Sequence, residues 1–390
     1  MSLTTQTMTI YAGWSGISSF VDPFNKSVED LFSPFGNDFI ILMNTNGFYY
    51  PATNTNTLGD WDYLSGYQIK TAQDIELTLE GSPINAPSVN LQAGWNLVPV
   101  LTSCGGEVYQ IFDGFSGLNI IKEIAGTNIY WPAYGIATLN YLEPGKSYWV
   151  SVNTNGSFTY PDCSANSYIP GPQEIPVNET PWNDVSYSAV THTLALPSAV
   201  IHAGNIRAGD YIGAFTSSGR CAGMVEINNI NANIAITVFG NDEFTAESDG
   251  FENDETLQFK LFRSEGSLEI NLDVEFESQM PQQGNFASNG ISSFKDITFN
   301  QNSLPQLNKI VSEIYPNPSN GQFMLTLNHH LVILQIQVID LQGRVLMDFT
   351  PEINEVSGDI ELNLNDLKNG IYFLKLNDSN FMEMKKIIIR

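Results

Sequence analysis

Apolar residues along most of this chain recur at every second position, in short runs cut by Gly, Pro, Asn and Asp. That is the pattern of half-buried strands joined by turns. Past residue 182 the alternation predicts strands at Ser188 to Leu196, Tyr211 to Phe215, Ala222 to Ile227, Ile234 to Phe239, Leu257 to Arg263 and Leu268 to Phe276. Six such strands with regular turns make a β-sandwich. Near the N-terminus one short helix is expected, where Asn25 or Ser27 can cap Val28-Glu29-Asp30-Leu31-Phe32. The expected class is mainly β.

Residues 12 to 72 recur 81 positions later. Ala12-Gly13-Trp14 returns as Ala93-Gly94-Trp95, Tyr49 as Tyr130, Pro51-Ala52 as Pro132-Ala133, Thr57-Leu58 as Thr138-Leu139 and Tyr67 as Tyr148. An unbroken register of this kind reads as a tandem duplication. Each unit opens on a strand at its Gly-Trp pair and closes on one through Tyr67 or Tyr148. Between them lies an apolar strand, Phe39 to Met43 in the first unit and Leu118 to Ile121 in the second.

The paired aromatics, Trp14 with Trp95, Tyr49 with Tyr130 and Tyr67 with Tyr148, are expected in the core, because both units need the same one. Neighbours along a strand point to opposite faces. With Tyr49 and Tyr130 inward, Tyr50 and Trp131 face out, while Trp61 and Tyr134 fall in nearby loops containing Asp and Gly. Tyr50, Trp61, Trp131 and Tyr134 are therefore candidate contacts for a glycan or a protein partner, since their rings offer flat apolar faces with a polar edge.

Charge sharpens the picture. The 390 residues carry a net −26, of which residues 304–390 hold only −3. Such a field repels nucleic acid and anionic membrane surfaces. Seven carboxylates fall between Asn241 and Glu255. Two readings stand: a calcium site built from Asp242, Asp249, Asp254 and Glu255, or a solvated acidic loop. The spacing is not that of an EF-hand. Cys104 and Cys163 bracket the second unit and are either bridged or both thiols; Cys221 reads as a buried strand residue.

No Gly-x-Ser-x-Gly, His-Glu-x-x-His, Cys-x-x-Cys, Walker or dinucleotide motif is present. His192 alternates with Val190 and Leu194, which suits a structural imidazole, and nothing local joins it or His202 to a cysteine. The chain reads as a protein without catalytic activity, a glycosidase-type carboxylate pair being the alternative that sequence spacing cannot address. No run approaches the roughly 18 apolar residues of a transmembrane helix.

The last segment runs Tyr315-Pro316-Asn317-Pro318-Ser319-Asn320-Gly321, then Asp340-Leu341-Gln342-Gly343-Arg344, then Gly370-Ile371-Tyr372-Phe373, and closes on Lys385-Lys386-Ile387-Ile388-Ile389-Arg390. The prolines hold the backbone extended, Ser-Asn-Gly turns it, and Leu341-Gln342-Gly343 between two alternating runs reads as a tight turn. These motifs, in this order, resemble the C-terminal sorting domain of the type IX secretion system, which carries proteins across the outer membrane of certain Gram-negative bacteria. The resemblance implies an Ig-like β-sandwich, passage through the periplasm, and recognition by the secretion machinery before removal or surface attachment. Gly209-Asp210, Cys221-Ala222-Gly223 and Asp249-Gly250-Phe251 are similar to a β-sandwich module of secreted proteins with the same tail. Export by this route uses an N-terminal leader. Met1-Ser2-Leu3-Thr4 has neither a basic nor an apolar region, so these residues are expected to stand where a native leader was removed.

The expected organisation is a β-rich repeat at 4–84, a second at 85–163, a linker at 164–181, a β-sandwich at 182–300, a linker at 301–311 and the sorting domain at 312–390. The expected function is that of a secreted or surface-attached, adhesin-like binding protein for a glycan or an extracellular protein, with calcium as a possible ion. A secreted hydrolase and an accessory spacer of a larger surface assembly are the alternatives.

Overall fold

A computed structural model describes residues 3–85, 87–163, 181–182, 185–263, 268–299, 311–327, 335–349, 359–377 and 382–390. Apart from Pro181 and Val311, both expected linkers lie outside the described residues. The chain forms two compact units, 1–260 with 274–298, and 261–273 with 299–390. Among the described residues both are mainly β, with a few short helices in the first.

The first unit begins with two five-stranded sheets of identical order. In the first the order is Gly13–Ile17, Tyr67–Thr71, Phe39–Met43, Phe48–Tyr50, Thr55–Asn56. In the second it is Gly94–Pro99, Ser147–Val152, Leu118–Glu123, Ile129–Trp131, Ile136–Ala137. Gly13 faces Thr71 as Gly94 faces Val152, and Tyr49 faces Asn56 as Tyr130 faces Ala137. The duplication is therefore structural. Its register is nevertheless not unbroken: Leu42 pairs with Ile69, whereas Ile121 pairs with Val150. The second unit is two residues shorter before this strand and two longer in the turn after it. Turns tolerate such changes because they lie at the surface, and the pairing between the strands is kept.

The Gly-Trp pair also has a backbone cause. Gly13 and Gly94 sit at φ +99° and +104°, left-handed values that a side chain would strain. A second shared device closes each unit: the Asp62 N–H donates to the Tyr67 hydroxyl at 2.7 Å and the Glu143 N–H to the Tyr148 hydroxyl at 3.0 Å. Burial holds both phenols well above their ordinary pKa. Each unit has its own core, around Phe32, Trp61 and Ile69 in the first and around Val108, Tyr148 and Val150 in the second. Cys104 and Cys163 are bridged, with their Cα atoms 5.5 Å apart, and Cys221 is buried.

The expected strands of the sandwich are present and belong to a seven-stranded sheet, the unforeseen member being Ile291–Phe299. It runs parallel to Thr191–Leu196. Sequence alternation missed it because Ile291-Ser292-Ser293-Phe294 are all buried although the middle two are polar, so hydrophobicity does not alternate with burial there. At Gly223 an added Cβ would meet the Thr237 carbonyl at 2.4 Å, so glycine lets Cys221–Glu226 lie close against Ile234–Phe239.

In the second unit, Val311–Tyr315, Gln322–Leu327 and Asp359–Asn363 form one antiparallel sheet. Val345–Phe349, Gln335–Ile339, Gly370–Asn377 and Met382–Ile389 form another. Phe323, Leu325, Ile336, Val338, Leu374 and Ile387 make its core.

Candidate ligand cavity and the sorting domain

Alternation puts Leu42, Tyr67 and Ile69 into the first repeat's core and turns Trp14, Met43, Gln68 and Lys70 to the other face. That second face meets the loop that follows Ile234–Phe239. Lys70 Nζ is ion-paired with Asp242 Oδ2, both side chains being buried. The same oxygen accepts from Trp14 Nε1 at 2.8 Å, and Asp242 Oδ1 accepts from the Phe244 N–H at 3.1 Å. Asp242 is thus satisfied by a cation and two neutral donors, as a buried carboxylate must be. Trp14 and Phe244 stand edge to face, with centroids 5.8 Å apart, and Tyr50 also meets Phe244 edge to face at 5.4 Å.

Beside this cluster lies a cavity of about 360 Å³. Its apolar walls are Trp14, Trp149, Phe244, Phe251 and Phe286; Asn241, Glu243, Glu252 and Asn289 are among its polar lining. Phe251 and Phe286 are stacked 5.5 Å apart. Two polar atoms of the lining are buried without a hydrogen-bond partner, Trp149 Nε1 and Asn289 Oδ1. Trp149 is itself only 9 % exposed.

Several sequence expectations are corrected here. Trp61 and Trp131 are each 1 % exposed and offer no surface for a ligand. Trp61 stacks on Tyr67 at 4.4 Å and donates its indole N–H to Ser19 Oγ at 2.9 Å, which makes it core despite its loop position. Trp131 does point away from its own repeat's core, as alternation required, but it packs with Ile120, Ala195 and Ile291 against the seven-stranded sheet. Tyr134 packs on that same cluster, with its carbonyl accepting from Asn233 Nδ2 at 2.6 Å. Of the four proposed contacts only Tyr50 lies near the cavity, through Phe244. Trp14 and Trp95, expected in the cores, are half-buried on the opposite face. The signal for Trp14 was its strand parity relative to Tyr67 on the partner strand.

The four proposed calcium ligands do not converge. Asp242 is held by Lys70. Asp249 accepts from the Asp242 N–H at 2.9 Å and from Thr245 Oγ1 at 3.2 Å, which closes the turn without an ion. Glu255 turns away to accept from the Ser217 N–H at 2.6 Å and hydroxyl at 2.7 Å. Asp254 sits at φ +64° at the exposed tip. Among the described residues no three His, Cys, Asp or Glu side chains are grouped to hold a metal.

Two buried titratable groups lie at the junction of the second repeat and the seven-stranded sheet. Lys122 Nζ donates to Thr191 Oγ1 at 2.7 Å and sits 4.8 Å from the Trp95 ring; with neutral partners, burial lowers its pKa to about 7. His192 lies 2.8 Å from Ser292 Oγ, a pairing that resembles a nucleophile with its base. The proton arrangement opposes that role. The Ala287 N–H donates to His192 Nδ1 at 3.2 Å, so Nε2 carries the hydrogen toward Ser292, whose hydroxyl donates to the Gln282 carbonyl at 3.0 Å. Burial and the nearby Lys122 hold His192 down at about 3, and both side chains are fully enclosed.

In the second unit the motif residues each have a structural task. Asn317 Nδ2 donates to the Lys386 carbonyl at 2.9 Å and its Oδ1 accepts from the Ile388 N–H at 3.0 Å, so the Pro-Asn-Pro segment is tied to the terminal strand. Asp340 Oδ1 accepts from the Gln342 and Arg344 N–H groups at 2.9 Å, and Oδ2 from Arg344 Nε at 2.7 Å. Those bonds, led by the Arg344 N–H, hold its carboxyl below the usual range and fold the turn around Gly343 at φ +80°. Residues 313–390 match the family model described as "Secretion system C-terminal sorting domain". The C-terminal fifth is a type IX sorting domain. The sorting domain directs export, so the protein is secreted or held at the outer surface. No curated protein matches the chain. Among solved structures it is aligned with a biofilm-associated protein's BSP domain at 12% identity and a TM-score of 0.17, covering 99% of this chain and 63% of that one. An alignment with E. coli α2-macroglobulin has 11% identity and a TM-score of 0.17, covering 99% and 26%. At that score neither bears on the fold. Among the described residues no helix is long and apolar enough to cross a membrane.

Proposed function

We propose that the protein is a non-catalytic, adhesin-like binding protein, placed outside the cell by its sorting domain, that engages a glycan or an extracellular protein at the aromatic cavity. The observation that carries this reading is the cavity itself: a half-open pocket whose aromatic walls stand beside polar residues such as Gln68, Asn241, Asn253 and Ser288 offers the apolar faces and polar groups of a ligand site. The absence of a catalytic role is supported by the His192–Ser292 arrangement, in which the imidazole faces the hydroxyl with its proton rather than its lone pair. The test is a screen of the full chain against immobilised glycans and extracellular-matrix proteins, repeated with Trp14→Ala. Binding that survives this substitution unchanged places the ligand elsewhere. Release of shortened saccharides from a bound glycan supports the hydrolase instead, and no retention of any ligand supports the spacer.

A further inference from the structure

We infer that Lys70 and Asp242 condense to an amide, a covalent crosslink between the first repeat and the loop that follows Ile234–Phe239. The ion pair described above is its precursor. Lys70 lies on Tyr67–Thr71, a strand with neighbours on both sides, and Asp242 is fixed by its N–H on Asp249 and its carbonyl on Thr245 Oγ1 at 2.8 Å. An amine and a carboxylate held in contact react as parts of one molecule, an advantage that reaches about 10⁵ M or more in effective concentration for well-oriented groups. Both side chains are nearly closed from water, so the charged pair bears a desolvation cost that an amide lacks. The rings of Trp14 and Phe244, each centred 5.9 Å from Nζ, flank it.

The balance closes within the pair. One proton passes from the Lys70 ammonium to Asp242 Oδ2, the freed lone pair of Nζ attacks Cγ, and a second Nζ proton follows to Oδ2 as the bond from Cγ to that oxygen breaks. Ammonium and carboxylate become a secondary amide and one water, with no oxidant, reductant or co-reactant. Donors stand where the charge moves: the Phe244 N–H, 3.1 Å from Oδ1, holds the oxygen that carries negative charge after attack, and Trp14 Nε1, 2.8 Å from Oδ2, holds the one that departs. The adjoining cavity, which Asp242 lines, receives the water. Other lysines lack this combination. Lys26–Asp22, Lys146–Glu143 and Lys295–Glu275 are exposed at both ends, and Lys122, though buried, meets the hydroxyl and carbonyl of Thr191 instead of a carboxylate.

Intact-mass spectrometry of the reduced, denatured full chain tests this, independently of what the cavity binds. The parent is expected to be one water lighter than its sequence. Trypsin is expected to leave the chain uncut after Lys70 and to yield a branched peptide containing both Lys70 and Asp242. Lys70→Arg keeps the cation but forms no such amide, and is expected to show the full sequence mass, with a melting curve showing that it folds. An aspartate succinimide also lacks one water, so the arginine variant decides between the two: a deficit that persists in Lys70→Arg overturns the crosslink. A parent of full mass that trypsin cuts after Lys70, even after prolonged incubation of the folded protein, overturns it as well. If the variant does not fold, the branched peptide of the parent decides alone, its presence supporting the crosslink and its absence overturning it.

Discussion

The two repeats share strand order, pairing and the tyrosine that closes each unit, yet the same outer face serves different ends. In the first, Trp14 borders a cavity and its cross-strand partner Lys70 is paired with Asp242. In the second, Trp95 lies against Trp149 and Lys122, and Lys122 has only neutral acceptors on Thr191. One buried lysine is balanced by a carboxylate; the other meets only desolvation. The lysines are not counterparts, Lys70 matching Ser151 and Lys122 matching Met43, so the duplicated scaffold fixes which positions project on this face while each repeat places its charge at a different one.

Removing the two lysines separates these cases most strongly. Lys70→Met strands a buried carboxylate and is expected to cost roughly 3 to 5 kcal/mol in denaturant unfolding, whereas Lys122→Met exchanges an unfavourably buried amine for an apolar chain and is expected to be neutral or stabilising at pH 7. Equal effects break the contrast. The disulfide offers a second asymmetry, since the first repeat has no cysteine. Replacing Cys104 and Cys163 by serine frees a crosslink spanning 59 residues and is expected to cost about 2 to 4 kcal/mol, with hydrogen-exchange protection falling in the second repeat more than in the first.

The pH dependence gives a third measure. Lys122 titrates near 7 when folded and at 10.5 by its ordinary value, so between these limits the unfolded chain binds more protons. Its contribution to stability therefore rises as pH increases from about 7 toward 10, by a few kcal/mol, and is flat below. Unfolding of Lys122→Met relative to the parent should show this rise disappearing; a parallel pair of curves removes the titration of Lys122 from the account. The smallest effect is expected for Trp14→Phe, which loses one hydrogen bond to Asp242 and should destabilise by about 1 kcal/mol. A larger loss identifies Trp14 as a structural support rather than a ligand wall.

The sequence determined much of this protein by itself. Period-two alternation marked the strands, because a half-buried strand exposes every second residue. The recurring Gly-Trp and Tyr positions marked the duplication, because the left-handed glycine and the buried phenol are local requirements of each unit. The sorting domain was legible for a similar reason: Asn317, Asp340 and Gly343 act on backbone within their own turns or on the terminal strand, so their identities persist as motifs. What escaped was decided by contacts distant in sequence. Parity showed that Trp131 faces away from its repeat, but only the seven-stranded sheet made that face buried. The acidic loop left an ion site and a solvated loop both open, because the partner of Asp242, Lys70, lies 172 positions away. Trp149 and Asn289 are unremarkable in the sequence and meet at one cavity, because packing of separate elements, and not local pattern, determines which polar atoms are left without a partner.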